Sequence, residues 1–322
     1  MEAPDVGPPA AALLGRWFKV LGLELRATDI VLLGSLLFFT VLALVFNPKV
    51  PHVGIVVLTN AAVGLVFLGA SRVHRKTFNR TLAFWIRFLS IQMMFAYVFP
   101  LVTPLQLILS KTWNDSAILR FEDAVFGVQP TFWIQKFISP PLTEWLMFAY
   151  VVYLALYPVL CLLFYRKRGE LAMEDFVFKI GLANLICDIG FILYPVAGPL
   201  YWIADRYTVP LQGYLFTSLG EFVRAHLQGI GASLPSPHCT VATIMLVTAY
   251  RLERRTFFLV SPIILSIYVS AFYARYHYLS DVLLGILTGA AILFAVPRLT
   301  RVWDARHIQG TKERARQKKG TV

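Results

Sequence analysis

Apolar residues along this chain come in long runs rather than at alternating positions. Eight runs stand out, at roughly 28–47, 53–71, 82–103, 142–165, 175–197, 238–254, 257–275 and 277–297. A helix needs about 20 mostly apolar residues to cross a bilayer. Runs of that length without alternation argue against half-buried strands. The pattern predicts an all-α, polytopic integral membrane bundle of about eight transmembrane helices. The third run contains Arg87 near its start, where a long side chain is expected to snorkel to the interface. Residues 113–139 and 200–222 break the pattern by mixing aromatic residues such as Trp133, Phe137, Tyr201 and Trp202 with charges. They suit helices lying on the membrane surface, or re-entrant segments packed between spans.

Composition supports the same class. Hydrophobic residues make up 57% and charged residues only 15% of the 322, against about 25% charged in a soluble domain. The formal charge of +12 does not imply nucleic acid, because the basic residues cluster in short segments between apolar runs. Threading eight spans puts Arg16/Lys19/Arg26, Arg72/Arg75/Lys76/Arg80, Arg166/Lys167/Arg168, Arg251/Arg254/Arg255 and Arg298 to Lys319 all on one side. The positive-inside rule makes that side cytoplasmic, together with both termini. The basic tail is expected to lie on anionic lipid. Cys161 and Cys187 fall inside apolar runs and read as packed thiols.

The same threading brings two histidines to the opposite face. Ser236-Pro237-His238 opens one run, with serine as N-cap and proline at the first helical position, so its free amides could hold an anion. His277 and Asp281 open another. Four residues apart on a helix, they share one face, and the carboxylate can reach a ring nitrogen. An unpaired carboxylate inside a span costs roughly 2.5 kcal/mol or more, so Asp281 needs a partner. A carboxylate-oriented imidazole is a nucleophile or base, and a second histidine can serve a leaving group. Within the fifth run, Asn184 and Asp188 share a face, either as a proton path or as a polar pair holding helices together.

Pro235-Ser236-x-His238 and His277-x-x-x-Asp281 resemble the last two motifs of the type 2 phosphatidic acid phosphatase superfamily. Tyr194-Pro195-Val196-Ala197-Gly198-Pro199 and Phe126-Gly127-Val128-x-Pro130 resemble its inositol phosphorylceramide synthase-like branch. The resemblance covers roughly residues 80–297. It implies a six-helix catalytic core over 81–300, preceded by a cytoplasmic segment (1–27) and two additional spans (28–80), and followed by the basic tail (301–322). It further implies that His277 attacks phosphorus, that Asp281 holds its imidazole, and that His238 protonates the leaving oxygen and then activates the incoming hydroxyl. Ser236 would bind phosphate oxygens, and no metal or other cofactor is implied. The chain departs from the family at the phosphate-binding positions. It has no upstream K-x6-R-P, it has Ala271 where the final motif usually has arginine, and it has Leu200 after the proline block. Arg275 is the expected substitute as a phosphate-binding residue, with Arg120, Lys136, Arg206 and Arg224 as others on that face. Water as acceptor would make the protein a lipid phosphatase, which needs only one lipid site. A lipid hydroxyl as acceptor would make it a headgroup phosphotransferase. A lipid or phosphate transporter on the same fold is the non-enzymatic alternative.

Overall fold

The computed structural model describes residues 16–20, 22–227 and 229–319, with side chains as far as residue 301 except for 226 and 227. The protein is essentially all-α. Ten helices of twelve or more residues follow in chain order: α1 Ala27–Val45, α2 Val53–Lys76, α3 Arg80–Leu101, α4 Asp115–Phe126, α5 Pro140–Arg168, α6 Glu170–Leu193, α7 Leu215–Leu227, α8 Pro237–Leu252, α9 Arg254–Tyr273 and α10 Leu279–Lys319. Among the described residues, seven are long and apolar enough to span a membrane: α1, α2, α3, α5, α6, α9 and the Leu279–Arg301 part of α10. This is a multi-pass membrane protein. The basic-tail expectation rests on residues 302–322, whose side chains lie outside the described residues.

The sixth run, at 238–254, folds as α8, which has 16 residues, fewer than the usual length of a span. It is buried without a break from Pro237 to Met245, as expected of a helix enclosed on all sides. It packs against α5, α6, α9 and α10. Its close partner is α10. A Cβ on Gly285 would meet the carbonyl oxygen of Ser236 at 2.6 Å, and one on Gly289 would meet that of Thr240 at 2.6 Å. Two glycines one turn apart let the backbones touch, as small-residue contacts do in membrane helix pairs. That contact sets the start of α10 beside the start of α8.

The segments between the spans also depart from expectation. One antiparallel strand pair, Phe18–Val20 with Leu23–Leu25, stands before α1. Its strands are too short to leave an alternating pattern in the sequence. Helix α7 lies along α5 rather than flat over the bundle. The Glu144 carboxylate accepts hydrogen bonds from the amides of Tyr214, Phe216 and Thr217 at 2.7, 2.7 and 3.1 Å, capping the helix start. One turn on, Gly220 faces Met147 and Val151.

Arg87 does not snorkel. It is fully buried. Its Nε and Nη2 donate to Glu174 of α6 at 2.6 and 2.9 Å, and its Nη1 donates to Asp29 of α1. Asp29 also accepts from Ser71 of α2 at 3.0 Å and from the Arg26 amide at 2.9 Å. Glu174 also accepts from Arg26 at 3.0 Å and from Thr28 at 2.8 Å. Four helices thus meet on a polar knot of two guanidinium and two carboxylate groups, and this fastens α1 and α2 to the rest. Breaking a buried pair strands a charge, so Arg87→Met should destabilise the fold by about 3–5 kcal/mol, read as a large loss of thermal stability in detergent. Adding Asp29→Asn should recover part of that loss. Absence of recovery would show that the stranded carboxylates are not its cause.

Candidate active site

His238 and His277 come together although 39 residues separate them, with ring centroids 5.9 Å apart and planes at 60°. His238 sits at the second position of α8. Its ring lies 4.5 Å from that of Tyr150, at 23°, and 4.6 Å from that of Tyr153. Both tyrosines belong to α5, and Tyr150 is ten residues into that helix. His238 is therefore about 15 Å along the α5 axis from that helix's start. The Tyr276 ring stacks on the other neighbour face of Tyr150 at 4.5 Å, so aromatic rings fix the imidazole's plane. The His238 Nδ1 is buried without a hydrogen-bond partner.

His277 lies just before α10, not within it. Its amide donates to the Ala271 carbonyl at 3.0 Å. Its ring is held through Nδ1, which is 3.1 Å from the Ser233 carbonyl oxygen, 3.3 Å from Ser233 Oγ and 3.6 Å from Asp281 Oδ2. A carbonyl oxygen only accepts, so Nδ1 carries the hydrogen and the neutral ring's lone pair lies on Nε2. Asp281 Oδ2 itself accepts from Ser233 Oγ at 2.5 Å and from the Tyr278 amide at 2.9 Å. The second of these bonds is the N3-to-N-cap half of a capping box at the start of α10. Asp281 is thus the electrostatic neighbour of His277 and the cap of the helix that follows it, while Ser233 makes the shorter contact with the ring.

The two imidazoles line a cavity of about 320 Å³. Ala197, Tyr201, Tyr276 and the backbone around Gly229–Ala232 form part of its wall, and Phe99, Pro100 and Thr103 at the end of α3 form the rest. Among the described residues, no lysine or arginine lines it. Gln106 holds the loop in place. Its Oε1 accepts from the Ala232 amide at 2.6 Å and its Nε2 donates to the Ile230 carbonyl at 3.1 Å. Gly231 has φ +94°, and a Cβ there would strike the Gln106 amide, so this close approach requires glycine.

Neither residue expected to bind phosphate reaches this cavity. The Ser236 hydroxyl is buried and accepts from the Cys239 amide at 3.4 Å, which uses it as the N-cap of α8. The Arg275 guanidinium is turned away from the cavity. It donates to the Val209 carbonyl and lies 4.0 Å over the Tyr207 ring. Arg275 also has φ +67°, rare for a side-chain-bearing residue, which directs it away from its histidine neighbour. Burial pushes its pKa down. Asp188 is buried in α6 with one carboxylate oxygen unpartnered, and it does not line the cavity.

Two buried acids on α4, between the spans, went unnoticed in the sequence. Asp115 accepts from the amides of Ala197 and Gly198 at 2.8 and 2.9 Å and from the Tyr278 hydroxyl at 2.9 Å. Glu122 accepts from the Ser280 amide and hydroxyl at 2.8 and 2.9 Å. Together they clip α4 and the proline block onto the start of α10. Burial raises both carboxyl pKa values despite these hydrogen bonds, with the Asp281 charge adding to the rise. A raised carboxyl pKa contributes stability that is complete below the unfolded value, about 4.3 for glutamate, and that is lost as pH rises through the folded value. Glu122→Gln keeps an acceptor for Ser280 and removes the titration. Its melting temperature relative to the parent should therefore rise as pH climbs above about 4.3 and level off once the folded-state carboxyl is ionised. A pH-independent difference would contradict this.

A family model of the PAP2 superfamily matches residues 116–295, more than half of the chain. Comparison with curated proteins and with solved structures gave no match.

Proposed function

The chain belongs to the PAP2 superfamily of phosphatase- and phosphotransferase-type membrane proteins, and on that premise we propose that it hydrolyses a lipid phosphate ester through a phosphohistidine on His277. The observation that carries this reading is the Nδ1 contact of His277 with the Ser233 carbonyl at 3.1 Å. With the hydrogen on Nδ1, the Nε2 lone pair is left for phosphorus. Nε2 attacks, the ester P–O bond breaks, and the leaving oxygen takes a proton from the cavity-side nitrogen of His238. His238 then takes a proton from water as its oxygen attacks the phosphohistidine, releasing phosphate and restoring both rings. Asp281, 3.6 Å from Nδ1, offsets the positive charge the His277 ring acquires. Burial of both groups strengthens that interaction.

Headgroup transfer to a lipid hydroxyl, as in the inositol phosphorylceramide synthase-like branch, is the second reading. The apolar wall of Phe99 and Pro100 opposite the histidines favours it, because that wall could seat an acceptor lipid. Purified protein with a panel of lipid phosphates, with and without diacylglycerol or ceramide, separates the readings. Free phosphate alone supports hydrolysis, and a new phospholipid supports transfer. Lipid movement without either product would replace both with transport.

Two expected outcomes follow from the mechanism. His277→Ala and His238→Ala should each lose at least about a hundredfold in turnover, and only the parent and His238→Ala should accumulate an acid-labile, base-stable phosphoprotein. Asp281→Asn should cost about a hundredfold in turnover. Ser233→Ala, which keeps the carbonyl hold on Nδ1, should cost less than Asp281→Asn. Turnover per folded molecule, with folding followed by melting temperature on the same preparation, checks both. Unchanged turnover in Asp281→Asn would remove it from the mechanism.

A further inference from the structure

The two histidines are held by unlike means. His277 has oxygens beside its Nδ1, the Ser233 carbonyl at 3.1 Å and the Asp281 carboxylate at 3.6 Å. The Nδ1 of His238 is buried, and no described group hydrogen-bonds to it. To serve as an acid, His238 must carry a proton on each ring nitrogen, and burial opposes that charge. What surrounds this ring is aromatic. Tyr150 and Tyr153, three residues apart and so on one face of α5, place their ring centroids 4.5 and 4.6 Å from that of His238. The Tyr150 plane is inclined only 23° to the imidazole, so its electron-rich face is turned to it. That geometry attracts a cation. Tyr150 makes a second stack of the same kind, at 4.5 Å and 27°, with Tyr276, the residue before His277. A single side chain of α5 therefore touches both His238 and the segment that carries His277. Tyr150 does not itself line the cavity, so it reaches a bound substrate only through these neighbours.

We propose that Tyr150 is a positioning residue for the acid–base histidine. Its ring face steadies the imidazolium of His238 where no hydrogen-bond acceptor does. Its contact with Tyr276 keeps that imidazolium in register with His277, whose ring centroid is 5.9 Å away. This rests on the reading of His238 as general acid and base. Tyr153, tilted at 46°, covers more of the same ring and contributes less.

Two measurements on the full-length protein in detergent test this. The first is hydrolysis of dioctanoyl phosphatidate. Tyr150→Leu should lower kcat by about tenfold to a hundredfold while KM stays within about twofold, because the loss is one of alignment. Tyr150→Phe keeps the aromatic face and should stay within about threefold of the parent. The second measurement needs no turnover. In protein isotope-labelled at histidine Cε1, the His238 proton signal is identified by its loss in His238→Ala. The tyrosine ring current should hold it upfield in the parent and in Tyr150→Phe, and Tyr150→Leu should move it downfield. Melting temperature checks folding of each preparation. If Tyr150→Leu does not fold, Tyr153→Leu carries both measurements, with smaller changes in the same directions. Parent-like kcat in Tyr150→Leu, a rise in KM alone, or a loss that Tyr150→Phe shares would overturn the proposal. So would a His238 signal that does not respond to Tyr150→Leu. A protein inactive across the lipid phosphate panel, but with a Tyr150-dependent His238 signal, would keep the positioning role and remove the hydrolytic reading. Hydrolysis with a Tyr150-independent signal would do the reverse.

Discussion

A fully buried guanidinium, Arg87, holds the architecture in one arrangement. A charge cannot remain unpaired in the interior of a membrane bundle, so Asp29 and Glu174 must both be present and correctly placed around it. A buried ion pair contributes little net stability compared with a well-packed apolar alternative. What it supplies here is restriction. Any packing of α1, α2, α3 and α6 that displaced one of these groups would leave another stranded. The end of α3 also supplies one wall of the cavity, so the helix fixed by this constraint also shapes the space in front of the histidines.

At the other end of α6, placement depends on close backbone approach. Glycines 285 and 289 let α10 press against α8, and the Ser236 amide donates to the Asp281 carbonyl at 3.0 Å. The two histidines are then held by different means. Stacked tyrosines fix the plane of His238, and a carbonyl fixes the tautomer of His277. Buried acids on α4 brace the chain immediately after His277, at Tyr278 and Ser280. The geometry that would matter for phosphoryl transfer is therefore set by groups that would not themselves touch phosphorus.

The sequence made the helices legible because a membrane span is written in about 20 consecutive residues. It made the pairing of His238 with His277 legible because both open runs that thread to the same side. Contacts across the fold were not legible. Arg87 read as a snorkelling residue because Asp29 lies 58 positions away and Glu174 lies 87, beyond any local pattern. His277 and Asp281 were read as neighbours on a helix face, but the helix begins at Leu279. Their proximity comes from a capping arrangement. Ser233 was missed because its contribution is mainly a backbone carbonyl, which no residue type announces. Arg275 was chosen for its charge, and a left-handed backbone at that residue turns the charge away.

The Asp29–Arg87–Glu174 knot also bears on how the chain is made. Ribosomal synthesis delivers Asp29 first, in a helix whose mean hydropathy of 2.3 favours insertion despite one acidic residue. Its cation arrives only with α3, and the second carboxylate arrives with α6. After three helices the nascent bundle holds Asp29 and Arg87 as a neutral pair, with Arg26 still awaiting its main partner. Emergence of α6 brings Glu170 and Glu174 to Arg26, at 2.7 and 3.0 Å, and completes the coordination of Arg87. The first three helices can therefore dock around the Asp29–Arg87 pair before α6 leaves the ribosome, and the waiting Arg26 helps select where α6 is received.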